Sequence, residues 1–213
     1  MPLGASKQAE QVSKWTNFFE AGFAPWEAAK PASQLVKLEE SGQIGKTAIE
    51  LGCGRSGLAS RWLASRGHQA VGMDLVQGAV DQAAATATSE GSSAEFVCAD
   101  VFDLPFELRG RFDFAFDSQC FHCTRTMDEV AAVQGIASVL VPGGLVLVLT
   151  GNDKEPEVGP AVLSRQDLEA AFVSSGLFEL VSIEEGRFDP TPHYETLKQC
   201  PLCWVALFKK RLL

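Results

Sequence analysis

The stretch "AIELGCGRSGLASRWLASRG", residues 48–67, contains a complete G-x-G-x-x-G motif formed by Gly52, Gly54 and Gly57. The motif follows a short apolar run at residues 46–51 and precedes a segment whose apolar residues recur with helical spacing. Glycines between a strand and a helix allow positive φ and let the backbone approach a ligand closely. Glycine spacing alone does not say which ligand the loop holds.

Apolar strands and helical segments alternate on both sides of this loop. We predict strands at 46–51, 68–75, 94–100, 111–117 and 145–150, and helices at 58–67, 76–90, 127–140 and 165–176. Thr126 with Glu129, and Ser164 with Asp167, have the capping-box spacing that starts a helix. Two final strand-like runs, 178–188 and 203–211, follow with no helix predicted between them.

This order of elements predicts an α/β fold. Alternating β and α segments with apolar strands favour a parallel sheet covered on both faces, and two strands joined by a loop place the last one antiparallel. We therefore expect a Rossmann-like, doubly wound, mostly parallel seven-stranded sheet with an antiparallel C-terminal strand and helices on both faces. Residues 1–213 are predicted to be a single domain, with an N-terminal helical and aromatic segment (1–43), a core (44–150) and a C-terminal part (151–213).

The overall charge excludes one class of partner. The net charge is −9 at pH 7 and 46% of the residues are hydrophobic, so the chain has globular composition without the basic face that nucleic acids require. No apolar run approaches the roughly 20 residues that span a bilayer, and the polar first residues do not resemble a signal peptide. We expect a cytoplasmic monomer with mostly reduced cysteines and no membrane partner.

Four of the predicted strands have a carboxylate at or near their end: Glu50, Asp74, Asp100 and Asp117. Ligands of doubly wound sheets bind beyond the carboxyl ends of the strands. Asp74 comes 22 residues after Gly52, where it can accept hydrogen bonds from ribose hydroxyls. These features fit NAD and S-adenosylmethionine equally well.

Three details favour S-adenosylmethionine over a dinucleotide. Glu50 lies two residues before Gly52, where a carboxylate suits a positively charged ligand and would repel a pyrophosphate. Asp100 stands beside the apolar pair Val101 and Phe102, which suits the edge and face of adenine. A terminal antiparallel strand pair is also unlike dinucleotide domains, which normally finish with a parallel strand.

Five ordered motifs resemble those of S-adenosylmethionine-dependent methyltransferases with the Rossmann-like fold: "ELGCGRSG", "GMDL", "CADVF", "FDFAFDSQCFH" and "LVPGG". The resemblance implies S-adenosyl-L-methionine as cofactor, S-adenosyl-L-homocysteine as product and a small-molecule methyl acceptor. The cofactor-binding residues that it implies are Glu50, Gly52, Cys53, Gly54, Asp74, Leu75, Asp100, Val101, Phe102, Asp117 and Ser118.

A narrower resemblance lies outside these motifs. "KWTNFFEAGFAPWE" (14–27), "RGHQAVGMD" (66–74) and "GPAVLSRQDLEAAF" (159–172) are similar to the thiopurine methyltransferase superfamily, which includes tellurite-resistance and halide/thiol methyltransferases. This implies methyl transfer, by in-line displacement, to a small soft nucleophile: a thiol, a halide, or a metalloid or chalcogen oxyanion. It also implies an N-terminal aromatic segment over the methionine end of the cofactor. The residues concerned are Trp15 and Phe19 at the cofactor and Trp26 at the acceptor, although these rings would equally serve as core packing.

On the acceptor side, His122 is the best candidate for a general base, because a histidine titrates in the useful range. A purely structural loop histidine fits the sequence as well. Asp117 is a second candidate for a catalytic role, and His193 and Tyr194 are candidates for binding the substrate. A thiol is already partly ionised near neutral pH, so no catalytic triad is expected.

The remaining cysteines form two C-x-x-C pairs, Cys120 with Cys123 and Cys200 with Cys203. This spacing suits tetrahedral zinc or a soft metalloid, but the long separation of the pairs is unlike compact zinc modules, so we predict no metal site. Ser118 and Arg55 depart from the residues common in related enzymes and leave the acceptor open. The alternatives are an NAD(P)-dependent oxidoreductase and a non-catalytic cofactor-binding or zinc-binding adaptor.

Overall fold

Strand β1 (Thr47–Leu51) lies in the interior of the sheet, where its apolar residues are buried on both faces. It pairs in parallel with β2 (Gln69–Asp74) and β4 (Phe112–Ser118). The computed structural model describes residues 4–155 and 162–212. Its other strands are β3 (Glu95–Cys98), β5 (Leu140–Asn152), β6 (Val162–Leu163), β7 (Phe178–Arg187) and β8 (Leu202–Lys210).

The strand order is β3-β2-β1-β4-β5-β8-β7, and the short β6 pairs with the end of β5. Strands β1 to β6 pair in parallel, whereas β8 is antiparallel to both β5 and β7. The predicted doubly wound sheet with an antiparallel C-terminal strand is therefore confirmed. The two-residue β6 is an addition to the seven strands that we predicted.

The helices are α1 (Ala5–Glu20), α2 (Ser33–Glu40), α3 (Leu58–Ser65), α4 (Gln77–Glu90), α5 (Phe121–Val139), α6 (Arg165–Val173) and α7 (Pro192–Leu197), with a 3-10 turn at Phe106–Leu108. Successive strand residues face opposite sides, so Ile49 packs with α5 and α6 while its neighbour Ala48 packs with α2, α3 and α7. Phe172 of α6 stacks on Phe208 of β8 with 4.2 Å between ring centroids. Both faces of the sheet are thus covered.

The glycine loop requires glycine for two different reasons. Gly52 has a φ of +71°, in the left-handed region that side chains rarely adopt. Gly57 has a φ of +51°, and a Cβ there would lie 2.2 Å from the ring of Phe96. The end of the loop therefore packs closely against the Phe96 ring on β3, where a side chain at position 57 has no room.

Two predictions about local structure are wrong. Thr126 and Glu129 do not start a helix: α5 begins at Phe121, and its regular part resumes after Asp128, whose φ of −161° interrupts it. The Asp128 carboxylate accepts from Ala131 N at 2.9 Å, because an aspartate satisfies a free helical N–H more directly than the nearby threonine does. The predicted Ser164 cap is present, with Asp167 N donating to the Ser164 hydroxyl at 3.0 Å.

The second error concerns the connection between β7 and β8, where we predicted no helix. Helix α7 begins there after Thr191, whose hydroxyl accepts from Tyr194 N, and Pro192 occupies its first turn. Residues 159–161, part of one quoted motif, lie outside the described residues. None of the helices that the structure describes is long and apolar enough to cross a membrane.

Candidate active site

A cavity of about 520 Å³ opens at the carboxyl ends of β1, β2 and β4, below α1. Its volume lies in the range of small-molecule sites, roughly 300–1,000 Å³. The predicted site residues that line it are Trp15, Phe19, Trp26, Gly52, Gly54, Asp74, Leu75, Asp100, Val101, Phe102, Ser118, His122, His193 and Tyr194. Parallel strands bring these residues together, because their carboxyl ends meet at one edge of the sheet.

Asp74 is held rigidly at the end of β2. Its Oδ2 accepts from Gly54 N at 2.9 Å and its Oδ1 accepts from Val76 N at 3.0 Å. Burial raises the pKa of the Asp74 carboxyl, and these backbone donors oppose that rise. Each oxygen still has a lone pair that can accept from a ligand hydroxyl.

Asp100 links the end of β3 to α1. Its Oδ1 accepts from Phe102 N at 2.9 Å, and its Oδ2 accepts from the Gln8 side-chain amide at 3.0 Å. Val101 and Phe102 add an apolar wall beside this carboxylate. The site thus offers paired acceptor oxygens and a flat apolar surface, which is the combination that an adenosine group requires.

Glu50, Cys53 and Asp117 do not line the large cavity. Glu50 Oε2 accepts from Ser60 N at 2.8 Å and from the Ser60 hydroxyl at 2.7 Å, and burial raises the pKa of Glu50 to about 7. Glu50 and Cys53 line a smaller adjoining cavity of about 90 Å³ behind the glycine loop. Asp117 Oδ1 accepts from Phe121 N at 2.9 Å and so secures the start of α5.

The buried carboxylates predict a pH-dependent stability. Burial also raises the pKa of Asp117 to about 7, so Glu50 and Asp117 both bind a proton more readily in the folded protein than in the unfolded chain between about pH 4 and pH 7. Buried His122, whose pKa falls to about 4, offsets only part of this difference. The free energy of unfolding should therefore fall as the pH rises through this window. Glu50→Gln should remove part of this fall, up to ~3 kcal/mol. Urea unfolding at pH 5 and pH 8 measures the change in the free energy of unfolding between these pH values. Glu107→Gln is the control, because Glu107 is exposed. The same change in wild type and in Glu50→Gln would contradict the prediction.

Five aromatic side chains near the N-terminus, which we call the aromatic lid, cover the cavity: Trp15, Phe18, Phe19, Phe23 and Trp26. Trp15 and Trp26 meet edge to face with 5.6 Å between centroids, and Phe19 and Trp26 do so at 6.2 Å. The ring of Phe23 meets that of His193 in α7, with 6.3 Å between centroids. The rings face the cavity rather than the sheet core.

Arg55 of the glycine loop holds this lid. Its Nε and Nη2 donate to the two oxygens of Glu27 at 2.8 and 2.9 Å, and its Nη1 donates to Phe19 O at 3.4 Å. In the sequence, Arg55 stands out only as a departure from the residues common in related enzymes, and its ion pair with Glu27 was not predicted. Arg55 and Glu27 are 28 residues apart, and no spacing pattern in the sequence indicates that two such distant residues meet.

We expect Arg55→Ala to weaken cofactor binding about 3- to 10-fold, because a bidentate pair in a partly exposed place contributes ~1 kcal/mol to closing the lid. Calorimetric titration with S-adenosylhomocysteine measures the change. Arg66→Ala is the matched control, because Arg66 pairs with Glu39 away from the lid. Wild-type affinity in the Arg55 variant would show that the pair does not hold the lid closed.

The region beside Ser118 and α5 is polar but uncharged. His122 is 3% exposed, burial lowers its pKa to about 4, and its Nδ1 has no hydrogen-bond partner within the described chain. Burial raises the pKa of Cys123 to about 11 and that of Cys120 well above its ordinary value, so both remain thiols. Among the described residues, neither Lys nor Arg lines the large cavity.

The C-x-x-C pairs do not form a metal cluster where the structure describes the chain. No three His, Cys, Asp or Glu side chains come close enough there to hold an ion. Cys120 and Cys123 line the cavity, whereas Cys203 is buried on β8. All six cysteines are free thiols.

Comparisons with known proteins agree with this geometry. A family model described as a methyltransferase domain matches residues 49–148. The chain is 31% identical over 148 residues to a 2-heptyl-1-hydroxyquinolin-4(1H)-one methyltransferase of Mycobacteroides abscessus, covering 68% of this chain and 64% of that protein. It is 26% identical over 180 residues to probable thiol methyltransferase 2 of Arabidopsis thaliana, covering 84% of this chain and 79% of that protein.

Among solved structures, the chain resembles 1,6-didemethyltoxoflavin-N1-methyltransferase of Burkholderia thailandensis, crystallised with 1,6-didemethyltoxoflavin and S-adenosylhomocysteine. The TM-score is 0.74 at 21% identity, and the match covers 99% of this chain and 92% of that one. This likeness is one of fold. The chain spans less than two thirds, 64%, of the length of the Mycobacteroides relative.

Proposed function

Because the chain belongs to the S-adenosylmethionine-dependent methyltransferases with a Rossmann-like fold, we propose that it methylates a small soft nucleophile, a thiol carried on an apolar or aromatic group. The observation that carries this proposal is the aromatic cavity with no cationic side chain among its described lining. An oxyanion acceptor calls for Lys or Arg. A bare halide ion has no apolar group to pack against the aromatic side chains that line the cavity. A thiol thus fits best among the soft nucleophiles.

The residues at the strand ends fit the cofactor. Asp74 would accept from the ribose hydroxyls, while Val101 and Phe102 would pack against adenine. Trp15 and Phe19 lie over the remaining part of the cavity, where they would exclude water from the methionine end. When bound, S-adenosylmethionine supplies a methyl group on a sulfonium, which leaves readily in an in-line displacement.

The polar residues beside Ser118 would serve the acceptor. His122 is neutral at pH 7 and can accept a proton, and a weak base suffices for a thiol that is already partly ionised. Asp117 would be a positioning residue, because it accepts from Phe121 N at the start of α5 and so fixes the neighbouring His122. Trp26, His193 and Tyr194 would form the wall against the acceptor's apolar part.

A second candidate function is methylation of an acidic hydroxyl on an aromatic ring. The name of the Mycobacteroides relative specifies a hydroxyquinolinone, and that protein is 31% identical over 148 residues. The aromatic cavity would suit such a ring as well as an aromatic thiol. The neutral imidazole of His122 would then receive the hydroxyl proton.

The test begins with calorimetric titration of S-adenosylhomocysteine, with NADH as control. We expect micromolar binding of the first and none of the second; the reverse result would overturn the proposal. A methylation assay then compares an aromatic thiol, its matched aromatic hydroxyl, iodide and tellurite. Methylation of the thiol supports the proposal. Exclusive methylation of the hydroxyl would replace it with the second candidate.

A further inference from the structure

Gln119 has a backbone conformation that is unusual for its residue type. It follows β4 directly, lines the large cavity and has a φ of +68°. Its N–H donates to Leu149 O at 2.9 Å, which fixes this turn against β5. A side chain in the left-handed region costs about 1 kcal/mol or more, and such residues persist where the surroundings determine them and often at functional sites.

The side chain of Gln119 is oriented by Tyr194. The Tyr194 hydroxyl donates to Gln119 Oε1 at 3.4 Å. Tyr194 is itself 4% exposed, and its N–H donates to the Thr191 hydroxyl at 3.1 Å. Thr191 in turn donates to Pro25 O at 2.8 Å, so α7, the aromatic lid and Gln119 form one connected unit.

With Oε1 directed at Tyr194, the amide Nε2 of Gln119 makes no hydrogen bond to any residue that the structure describes. Gln119 lies between Ser118 and Cys120 in the chain and three residues before His122, and all four residues line the cavity. A fixed donor in an apolar cavity discriminates strongly, because a ligand without the matching acceptor leaves it unpaired.

We propose that Gln119 determines acceptor specificity by donating a hydrogen bond from Nε2 to a carbonyl oxygen or ring nitrogen next to the atom that is methylated. This inference rests on the proposed function. The preferred acceptor class is therefore a heteroatom-bearing aromatic thiol, with the accepting atom adjacent to sulfur. Tyr194 is the positioning residue that orients the amide.

The experiment compares two ortho-substituted benzenethiols of similar width. Methyl thiosalicylate has an ester carbonyl on the ring carbon next to the one that bears the thiol, and 2-isopropylbenzenethiol has an alkyl group there. We expect the wild type to favour the first by about 10-fold or more in kcat/KM. Gln119→Met should abolish this preference, because kcat/KM for the first thiol falls to about the value for the second. Tyr194→Phe should reduce the preference in part.

Gln119→Asn guards against a folding defect, because asparagine tolerates the left-handed region yet is too short to reach Tyr194. It should also lose the preference. An equal fall for both thiols, or an unchanged ratio in the Met and Asn variants, would overturn the assignment of Gln119. Wild-type failure on both thiols would overturn the proposed function itself and this inference with it.

Discussion

Replacing Asp74 with alanine is expected to weaken S-adenosylhomocysteine binding about 10- to 150-fold, or ~1.5–3 kcal/mol, the usual cost of losing hydrogen bonds to a charged group. The carboxylate is fixed by Gly54 N and Val76 N, so its remaining lone pairs are already directed when the ribose arrives. The same substitution frees the glycine loop, which adds to the loss. We therefore expect this to be the largest effect on cofactor binding.

Calorimetry on folded variants measures this effect. Asp81→Ala is the matched control, because Asp81 is exposed on α4 and accepts only from Gln77 at 2.7 Å within the described residues. Asp74→Asn keeps the shape and one acceptor oxygen and should lose less affinity than the alanine variant. Unchanged affinity in a folded Asp74→Ala protein would place the ribose contact on another residue.

Gly135→Ala is expected to destabilise the fold by about 2–3 kcal/mol, because adding atoms to a packed site forces the backbone to shift. A Cβ at Gly135 in α5 would lie 2.1 Å from the Val101 carbonyl oxygen and 2.9 Å from Val101 Cγ2. A backbone atom cannot swing aside as a flexible side chain can. The strain would also displace Val101 and Phe102, so we expect weaker cofactor binding as well.

Gly78→Ala offers a direct comparison, since it makes the same change inside α4, where a new Cβ would meet nothing within 4 Å. It should leave stability unchanged or raise it by up to ~1 kcal/mol, because alanine favours helices over glycine. Urea unfolding of both variants measures the difference. Equal stability of the two variants would show that α5 can move away from Val101.

The sheet could be predicted because burial on both faces makes its strands continuous apolar runs, and the carboxylates after them meet at one edge. Helix α7 escaped prediction although Thr191 and Pro192 are ordinary start signals, since six residues give little periodicity. Thr126 and Glu129 matched a capping pattern that Asp128 outcompeted. Which residue starts a helix in these two places depends on tertiary packing.

The polar contacts around the cavity were not predictable from spacing. The pairs Arg55 with Glu27 and Gln8 with Asp100 join residues far apart in sequence. Gln119 gave no sequence signal either, because its positive φ is visible only in the folded chain. Residue type indicated where ligand chemistry could occur, whereas the connections between the lid and the sheet required three-dimensional contacts.

The two attachments of α1 and its following loop have a kinetic consequence. Gln8 binds Asp100 and Arg55 binds Glu27. We expect both contacts to break when a ligand enters or leaves the cavity. Opening of α1 and its following loop would come before the chemical step, and the same opening would be needed again before S-adenosylhomocysteine leaves. Departure of S-adenosylhomocysteine would then set the steady-state rate, and rapid mixing would give a first turnover faster than those that follow.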